Sequence, residues 1–272
     1  MLPNNDQTCG WINKLPKRTN INVVKGSLSC DWIIIGAGYT GLSAARQLGN
    51  MNPNIKIMLV DAQLAGEGAS SRNSGYLVDS TMNDGFVSSK NTDDYKAKCD
   101  LYSLGIKKVK EFVARHQVDC DWNESGKYYA SSIIKDVERL DRFSDKLNTL
   151  EIENHILYNS ELSQKLGTDF YKVALYTKGG VLLHPGKLVR AMVNSLPENV
   201  TLYENSPLLK WEEANNKINC IFQEASIEAA SIIFCTNGFL SSLGIEGRYS
   251  FPLLLTASMT RKLTDKEFNI IG

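Results

Sequence analysis

The chain has 272 residues with 30 acidic and 30 basic side chains, so its formal net charge at neutral pH is zero. This balance excludes a broad electrostatic grip on nucleic acid or on an anionic membrane surface. With 43% hydrophobic residues, the composition is that of a globular protein of one large domain or two smaller ones. No apolar run approaches the roughly 18 residues needed to cross a bilayer, and the first thirty residues lack the apolar core of a secretory signal. We therefore expect a cytoplasmic protein that binds neither nucleic acid nor a membrane.

The six cysteines and three histidines do not form a metal-binding pattern. There is no Cys-x-x-Cys pair, and no histidine stands at ligand spacing beside a cysteine. We expect reduced thiols rather than a disulfide framework, and no metal site.

The first predicted elements follow a polar segment that is irregular up to Ser29, which we interpret as an N-terminal arm over residues 1–30. Apolar residues at 32–35 predict a strand, helical spacing over 42–48 predicts a helix, and 55–60 predicts a second strand. Because neighbouring strands joined by a helix normally lie parallel, this order predicts an α/β fold with a buried sheet.

Two amphipathic patterns, from about Thr92 and over 137–150, predict further helices, and Pro185 opens another. No helix is expected at the carboxyl terminus. Short strands are predicted at 128–130, 173–176, 181–183, 201–204, 208–211, 217–222, 232–235 and 251–262.

A Gly-x-Gly-x-x-Gly sequence joins the first strand to the first helix. Gly36 permits the tight turn, Gly38 allows the backbone to approach a pyrophosphate, and Gly41 lets the helix pack against the strand. The helix N-terminus offers N–H donors to phosphate. Asp61, at the end of the second strand, is placed to accept hydrogen bonds from a ribose, and its charge disfavours NADP. A glycine-rich turn without a ligand is the alternative.

The next loop, residues 66–75, is longer than an ordinary NAD-binding domain requires. It is rich in small residues and contains Arg72 and Asn73, so it could wrap a larger cofactor and offer N–H groups and a guanidinium to phosphate or flavin oxygens. A flexible surface loop is the alternative. Because the loop contains no His or Cys, we expect a cofactor there to be bound non-covalently.

These motifs resemble the FAD-dependent glycine/D-amino-acid oxidase (DAO) family, most closely its gamma-glutamylputrescine oxidase-like branch. The branch commonly reads Gly-Ala-Ser-Gly-Arg-Asn-Gly-Gly where residues 68–75 stand here, and only Ser71 and Ser74 differ. Ser74 could crowd a close backbone approach. Three further segments agree with the family, 120–126, 183–190 and 233–238.

The resemblance implies a Rossmann-like FAD-binding domain over 31–117 and 180–245, interleaved with an incomplete α+β substrate domain over 118–179 and 246–272. Leu208 sits where the family often has a Val whose backbone meets the adenine. The implied cofactor-binding residues are Gly36, Ala37, Gly38, Tyr39, Thr40, Gly41, Asp61, Ala62, Gly68, Ser70, Ser71, Arg72, Asn73, Gly75, Leu208, Thr236, Asn237 and Gly238.

The resemblance also implies oxidation of the C–N bond of a small amine or amino acid, with hydride passing to the flavin and water hydrolysing the imine. No catalytic residue is assigned, since the family's chemistry requires no protein base. His184, before Pro185 at a helix start, fits a structural role better than a catalytic one. Substrate contacts are expected around Tyr128 and Tyr129 and over 256–261.

Family chains normally continue further, so we expect a fragment or shortened relative with an open flavin pocket, weakened FAD binding and little activity. Two alternatives stay open: a non-catalytic dinucleotide-binding protein, and an NAD-linked dehydrogenase, which the long loop disfavours. The specific amine, the electron acceptor and the oligomeric state are not determined by these patterns.

Overall fold

The computed structural model describes residues 8–80, 92–245 and 258–271, which fall into two compact units. The first takes its described residues from Met1–Ser74 and His184–Ala257, and the second from Gly75–Leu183 and Ser258–Gly272.

The elements follow one another in the order already indicated by the sequence, with several additions. Two 3₁₀ turns cover Ile134–Asp136 and Asn237–Leu243. The helices are α1 (Gly10–Asn13), α2 (Tyr39–Met51), α3 (Thr92–Arg115), α4 (Val137–Thr149), α5 (Asn159–Leu166), α6 (Pro185–Asn194) and α7 (Asp265–Ile271). The strands are β1 (Gly26–Ile35), β2 (Ile57–Val60), β3 (Tyr76–Val78), β4 (Lys127–Ser131), β5 (Asn154–Tyr158), β6 (Val173–Thr177), β7 (Gly180–Leu182), β8 (Val200–Tyr203), β9 (Lys210–Ala214), β10 (Lys217–Ile221) and β11 (Ala225–Phe234).

The first unit is built on a six-stranded sheet in the order β8-β2-β1-β11-β10-β9. The strands β8, β2, β1 and β11 are parallel, while β10 and β9 extend the sheet as antiparallel strands. Helix α2 connects β1 to β2 and packs against both, and Ile33, Met58 and Ile227 lie in the buried core. The predicted α/β architecture with a parallel sheet is therefore confirmed.

Strand β1 corrects the prediction that the chain is irregular up to Ser29. It begins at Gly26, which pairs with Ala225, and the pairing continues to Ile35. Leu28 and Cys30 are half-buried, while Ser27 and Ser29 are exposed. This alternation is the period of a strand, but the small polar residues obscure its apolar content.

The second unit contains a three-stranded antiparallel sheet in the order β4-β6-β5 and a separate β3–β7 pair. Helix α4 packs on β5 and β6 through Leu140, Phe143 and Leu147, all of which are fully buried. Helix α3 packs against β3, and the described residues of 75–117 belong to this unit together with 180–183, whereas the sequence predicts both segments in the first domain. The functional labels of the two domains stay predictions.

Several elements were not predicted, namely α1, β3, β5, α5 and α7. Helix α7 contradicts the expectation that no helix lies near the carboxyl terminus. Its start carries a capping box, in which the Glu267 N–H donates to Thr264 Oγ1 (3.3 Å) and the Thr264 N–H donates to Glu267 Oε2 (2.9 Å). Of the strand predicted over 251–262, residues 251–257 lie outside the described residues, and 258–262 are irregular rather than extended in a sheet.

All six cysteines are described, and none of them forms a disulfide. In the part of the chain that the structure describes, we find no helix with both the length and the apolarity needed to span a bilayer.

Candidate cofactor site

The carboxyl ends of the parallel strands bring several predicted residues to one edge of the first unit. The turn 36–41 follows β1, Asp61 follows β2, and Thr236 comes two residues after β11. The Cys235 N–H donates to Ile35 O (2.7 Å), so the end of β11 lies directly beside the start of the turn. Ligands of open α/β sheets bind at such an edge.

The turn is shaped by close backbone contacts that only glycine allows. Gly36 has a φ of +99°, and a Cβ there would lie 2.5 Å from Cys235 O. A Cβ on Gly41 would lie 1.8 Å from Gly36 O. These contacts let α2 begin immediately after β1, as the motif predicts.

The start of α2 offers a backbone amide to an oxygen acceptor. The Tyr39 N–H donates to Ser70 Oγ (2.9 Å), and Gly38 has no side chain to fill the space in front of it. A Cβ on Gly38 would lie 2.8 Å from Ser70 Oγ. Ser70 Oγ therefore accepts from an amide that, at the N-terminus of a helix, can also bind a phosphate oxygen. A phosphate bound there would compete with Ser70 for the Tyr39 N–H.

Asp61 is held by backbone donors from both sides. Its Oδ2 accepts from the Ala37 N–H (2.6 Å) and its Oδ1 from the Gln63 N–H (2.9 Å). Burial raises the pKa of Asp61, and the nearby Glu204 raises it further, while the two backbone hydrogen bonds oppose the shift. Each carboxylate oxygen has a second lone pair, so Asp61 retains the capacity to accept from a ribose hydroxyl.

Thr236 carries a buried hydroxyl that has no hydrogen-bond partner among the described residues. Buried polar groups normally find one, so an orphan at this edge is consistent with a ligand that supplies it. Together with Gly38 and the Tyr39 N–H at the start of α2, whose acceptor is Ser70 Oγ, it is consistent with a dinucleotide bound at this edge.

The loop predicted to follow the cofactor is ordered by its own contacts. Arg72 Nε donates to Glu67 O (2.8 Å), and Asn73 Nδ2 donates to Ala69 O (3.0 Å) and Ser70 O (2.8 Å). Ser71 is 2% exposed and Ser74 is exposed. The side chain of Ser74, which stands where the related branch often has Gly, is therefore exposed to solvent.

The remaining predicted cofactor residues lie close along the chain to those already described. Ala62 follows Asp61 directly, and the Ser206 N–H donates to Asp61 O (2.9 Å), two residues before the buried Leu208. Asn237 and Gly238 begin the 3₁₀ turn after Thr236. Gly68 lies in open space, and Gly75 belongs to the second unit.

A buried ion pair near Asp61 was not predicted from the sequence. Arg18 makes a bidentate contact with the carboxylate of Glu204, and the Ala65 N–H donates to Glu204 Oε1 (2.7 Å). The side chains of Arg18 and Glu204 are 11% and 2% exposed. The available signal was an acidic residue directly after the half-buried strand β8, but its partner lies 186 positions away.

His184 is the N-terminal cap of α6, in agreement with the structural role expected for it. Its Nδ1 accepts from the Lys187 N–H (3.2 Å), and its ring lies 4.6 Å from that of Trp11. This hydrogen bond fixes the orientation of the ring. Because Nδ1 accepts, a neutral His184 carries its proton on Nε2.

The second unit holds a buried lysine that sequence reasoning also missed. Lys127 Nζ contacts the carboxylate of Asp79 and donates to Ser80 Oγ (2.7 Å), and the Tyr129 hydroxyl donates to Ser80 O (2.9 Å). Burial lowers the pKa of Lys127, and its pairing with Asp79 opposes that shift. Tyr129 packs edge-on against Phe143, so its ring is part of the core; its predicted substrate contact stays a prediction.

Comparison with known proteins identifies relatives of most of the chain. Residues 31–268 match the family described as DAO, FAD dependent oxidoreductase. The probable oxidoreductase OrdL of Haemophilus influenzae is 24% identical over 254 residues, which cover 89% of this chain and 55% of that protein. The gamma-glutamylputrescine oxidoreductase of Escherichia coli (strain K12) is 27% identical over 177 residues, covering 62% of this chain and 40% of that protein.

Glycine oxidase from Bacillus cereus ATCC 14579 shares the fold, with a TM-score of 0.63 at 18% identity over 79% of this chain and 57% of that one. The chain thus spans about half the length of the relatives it matches. The parallel sheet, the glycine turn and this likeness identify a Rossmann-like fold of the FAD/NAD(P)-binding type. Because the family match covers more than half of its length, the chain belongs to the DAO family of FAD dependent oxidoreductases.

Proposed function

We propose that this chain binds FAD non-covalently at the carboxyl edge of its parallel sheet and supports oxidation of the C–N bond of an amine or amino acid. The observation that carries the proposal is the meeting of the Gly36 turn, the Tyr39 amide, Asp61 and the orphan hydroxyl of Thr236 at that edge. The names of the relatives from Escherichia coli and Bacillus cereus support a nitrogen-containing substrate.

Four groups of the chain would hold the cofactor. The N-terminal amides of α2 would bind the diphosphate, aided by the helix dipole, and Asp61 would accept from the adenosine ribose. The loop 66–75 would lie along the flavin side, and Thr236 Oγ1 would donate to an acceptor of the ligand. Ser70 Oγ, which would lie 2.8 Å from a Cβ on Gly38, would have to move aside for the diphosphate.

When bound, FAD supplies the redox chemistry: it accepts hydride from the substrate C–H, and water then hydrolyses the resulting imine to a carbonyl compound and an amine or ammonia. The chain's own contribution is to bind and orient. The carboxylate of Asp61 would repel a 2′-phosphate. The half-buried Cys235 beside the turn has a pKa that is raised by desolvation, so it stays a neutral thiol.

Thermal unfolding with added nucleotides tests the cofactor. At a free concentration about 100 times its Kd, FAD is expected to stabilise the chain by about 2.7 kcal/mol. FMN, which lacks the adenosine half, is expected to stabilise it far less. Stabilisation by NAD but not FAD would favour an NAD-linked protein, and no response to either would contradict the proposal.

The matched variant Thr236→Val removes only the orphan hydroxyl. We expect it to leave the unliganded protein as stable or slightly more stable, because an unpaired buried hydroxyl is costly, and to weaken FAD binding severalfold. Acid precipitation should release the flavin into the supernatant, as non-covalent binding requires. Turnover is tested separately by peroxide release with glycine and gamma-glutamylputrescine.

A further inference from the structure

The N-terminal arm, defined here as residues 8–25, contacts the loop 66–73 directly. Trp11 Nε1 donates to Asn73 O (2.9 Å), and Cys9 Sγ lies 3.6 Å from Ser71 O. Both contacts bind main-chain carbonyls of the loop. In a trans peptide the carbonyl and the following N–H point in opposite directions, so fixing Asn73 O also fixes the Ser74 N–H on the side away from the arm.

The same arm also packs against the start of α6. The Trp11 ring contacts the His184 ring at an interplanar angle of 60°, and a Cβ on Gly186 would lie 3.1 Å from Leu15 Cδ1 and 3.4 Å from Trp11 O. Glycine at 186 therefore allows the arm to lie close to the helix. The segment 183–190, which agrees with the family, has a physical role in holding the arm.

Arg190 of α6 contacts both the arm and the loop. Its Nη1 donates to Pro16 O (2.9 Å) and its Nη2 lies 3.4 Å from Glu67 Oε1. A Cβ on Gly66 would lie 1.8 Å from Val189 Cγ1, so the loop begins in direct contact with this helix.

Arg18 makes the third connection, through Glu204. One carboxylate receives both the Arg18 guanidinium and the Ala65 N–H at the entrance of the loop. Because Glu204 is almost fully buried, its charge requires the arm's cation as a partner.

We propose that the arm is a positioning element for the cofactor-facing loop, and that Trp11 and Arg18 are the positioning residues that hold residues 65–73 in the conformation that receives FAD. The proposal rests on the proposed function for its cofactor, whereas the coupling between arm and loop concerns this chain alone. Trp11 sets the far end of the loop and Arg18 its entrance.

Limited trypsin digestion of the unliganded protein tests the coupling, because cleavage after Arg72 requires the loop to open. We expect Trp11→Ala to increase the rate of this cleavage about fivefold, as loss of one hydrogen bond and a ring contact implies, and Arg18→Met to increase it about tenfold or more. Lys17→Gln, which removes an exposed charge next to Arg18, is the control and should leave the rate unchanged. Circular dichroism verifies that each variant is folded.

Arg18→Lys distinguishes an ion pair from simple packing. An ammonium can still pair with Glu204 although it cannot match both oxygens, so Arg18→Lys should restore part of the protection that Arg18→Met loses. If trypsin cleaves after Arg72 no faster in Arg18→Met than in Arg18→Lys, the proposed role of the ion pair is wrong. Should a variant at 18 fail to fold, Trp11→Phe removes only the indole N–H and still tests the far end.

FAD titration by fluorescence quenching then tests the positioning. Trp11→Ala and Arg18→Met should each weaken FAD binding about tenfold, with Lys17→Gln unchanged. Unchanged cleavage in both variants overturns the proposal, and so does faster cleavage with unaltered FAD affinity. If the wild-type chain binds no FAD, the proposed function fails, and the proteolysis alone decides whether the arm holds the loop.

Discussion

The turn 36–41 and the loop 66–73 serve the same edge of the sheet but are held in different ways. The turn is fixed by backbone contacts within itself and with the adjacent end of β11. The loop is fixed in large part by side chains far away in the chain, from the arm and from α6. A short motif therefore specifies the first region, whereas the second takes its conformation from the assembled unit.

The largest effect is expected at the turn. Gly41→Ala would place a Cβ 1.8 Å from Gly36 O, an atom of the backbone that cannot move aside. We expect a loss of about 4 kcal/mol or more in the free energy of unfolding. Gly68→Ala, with no atom within 4 Å of the added Cβ, is the matched control for the loop. Equal urea midpoints for the two variants would remove the distinction between the regions.

Glu204→Gln tests the long-range support of the loop. The change leaves the Arg18 guanidinium without its buried carboxylate, and we expect a loss of about 3 kcal/mol measured by urea unfolding. Glu212→Gln breaks an exposed pair with Lys210 and should change stability by less than about 0.5 kcal/mol. A loss at 204 no greater than at 212 would show that the buried pair contributes little.

Asp61→Asn tests a residue that contacts both regions. Asp61 accepts a hydrogen bond from Ala37 of the turn and lies near Glu204, which supports the loop. Loss of the charged acceptor should weaken FAD binding about 20-fold, or about 1.8 kcal/mol. Burial raises the pKa of Asp61 above its ordinary 3.8, so its stabilising contribution is full below pH 3.8 and is lost as the pH rises through the raised pKa.

The free energy of unfolding of the wild type relative to Asp61→Asn should accordingly decline as the pH rises above 3.8 and through the raised pKa. Urea unfolding of both proteins across this range provides the measurement. A difference that grows with pH would mean that the hydrogen bonds from Ala37 and Gln63 outweigh burial.

The smallest effect is expected at the point where the loop contacts the turn. Ser70→Ala removes the acceptor of the Tyr39 N–H and should lower stability by about 1 kcal/mol or less. FAD affinity should change only about twofold, because the amide that is released becomes available to phosphate while one hydroxyl contact is lost. Isothermal titration with FAD measures this, and a tenfold loss would show that the hydroxyl itself binds the ligand.

The sequence predicts well those parts of the molecule whose structure is determined by residues close together in the chain. Strand, glycine turn, helix and Asp61 follow one another within thirty residues, and each has a local signature. His184 and Pro185 mark a helix start by their own chemistry. The capping box at Thr264 and Glu267 was equally readable, and the missing prediction of α7 was avoidable.

The parts that could not be predicted depend on partners that sequence distance hides. The register of β1 with β11 determines that β1 begins at Gly26, and Leu28 with the smaller Cys30 gives residues 26–30 too weak an apolar pattern to predict it. The Arg18–Glu204 pair and the buried Lys127 exist because folding brings charges together in a desolvated interior. An isolated charged residue in the sequence does not reveal whether it will be solvated or buried.

The order of the central sheet has a consequence for the behaviour of the protein at high concentration. Outer strands with unsatisfied backbone groups can recruit another chain and nucleate aggregates. At β8 the arm occupies this position, with the Glu204 N–H donating to Asn22 O (2.8 Å) just past the strand, and at β9 the exposed Lys210, Glu212 and Glu213 discourage intermolecular pairing. Shortening the chain at its amino end would therefore expose the edge of β8 and favour self-association at high concentration.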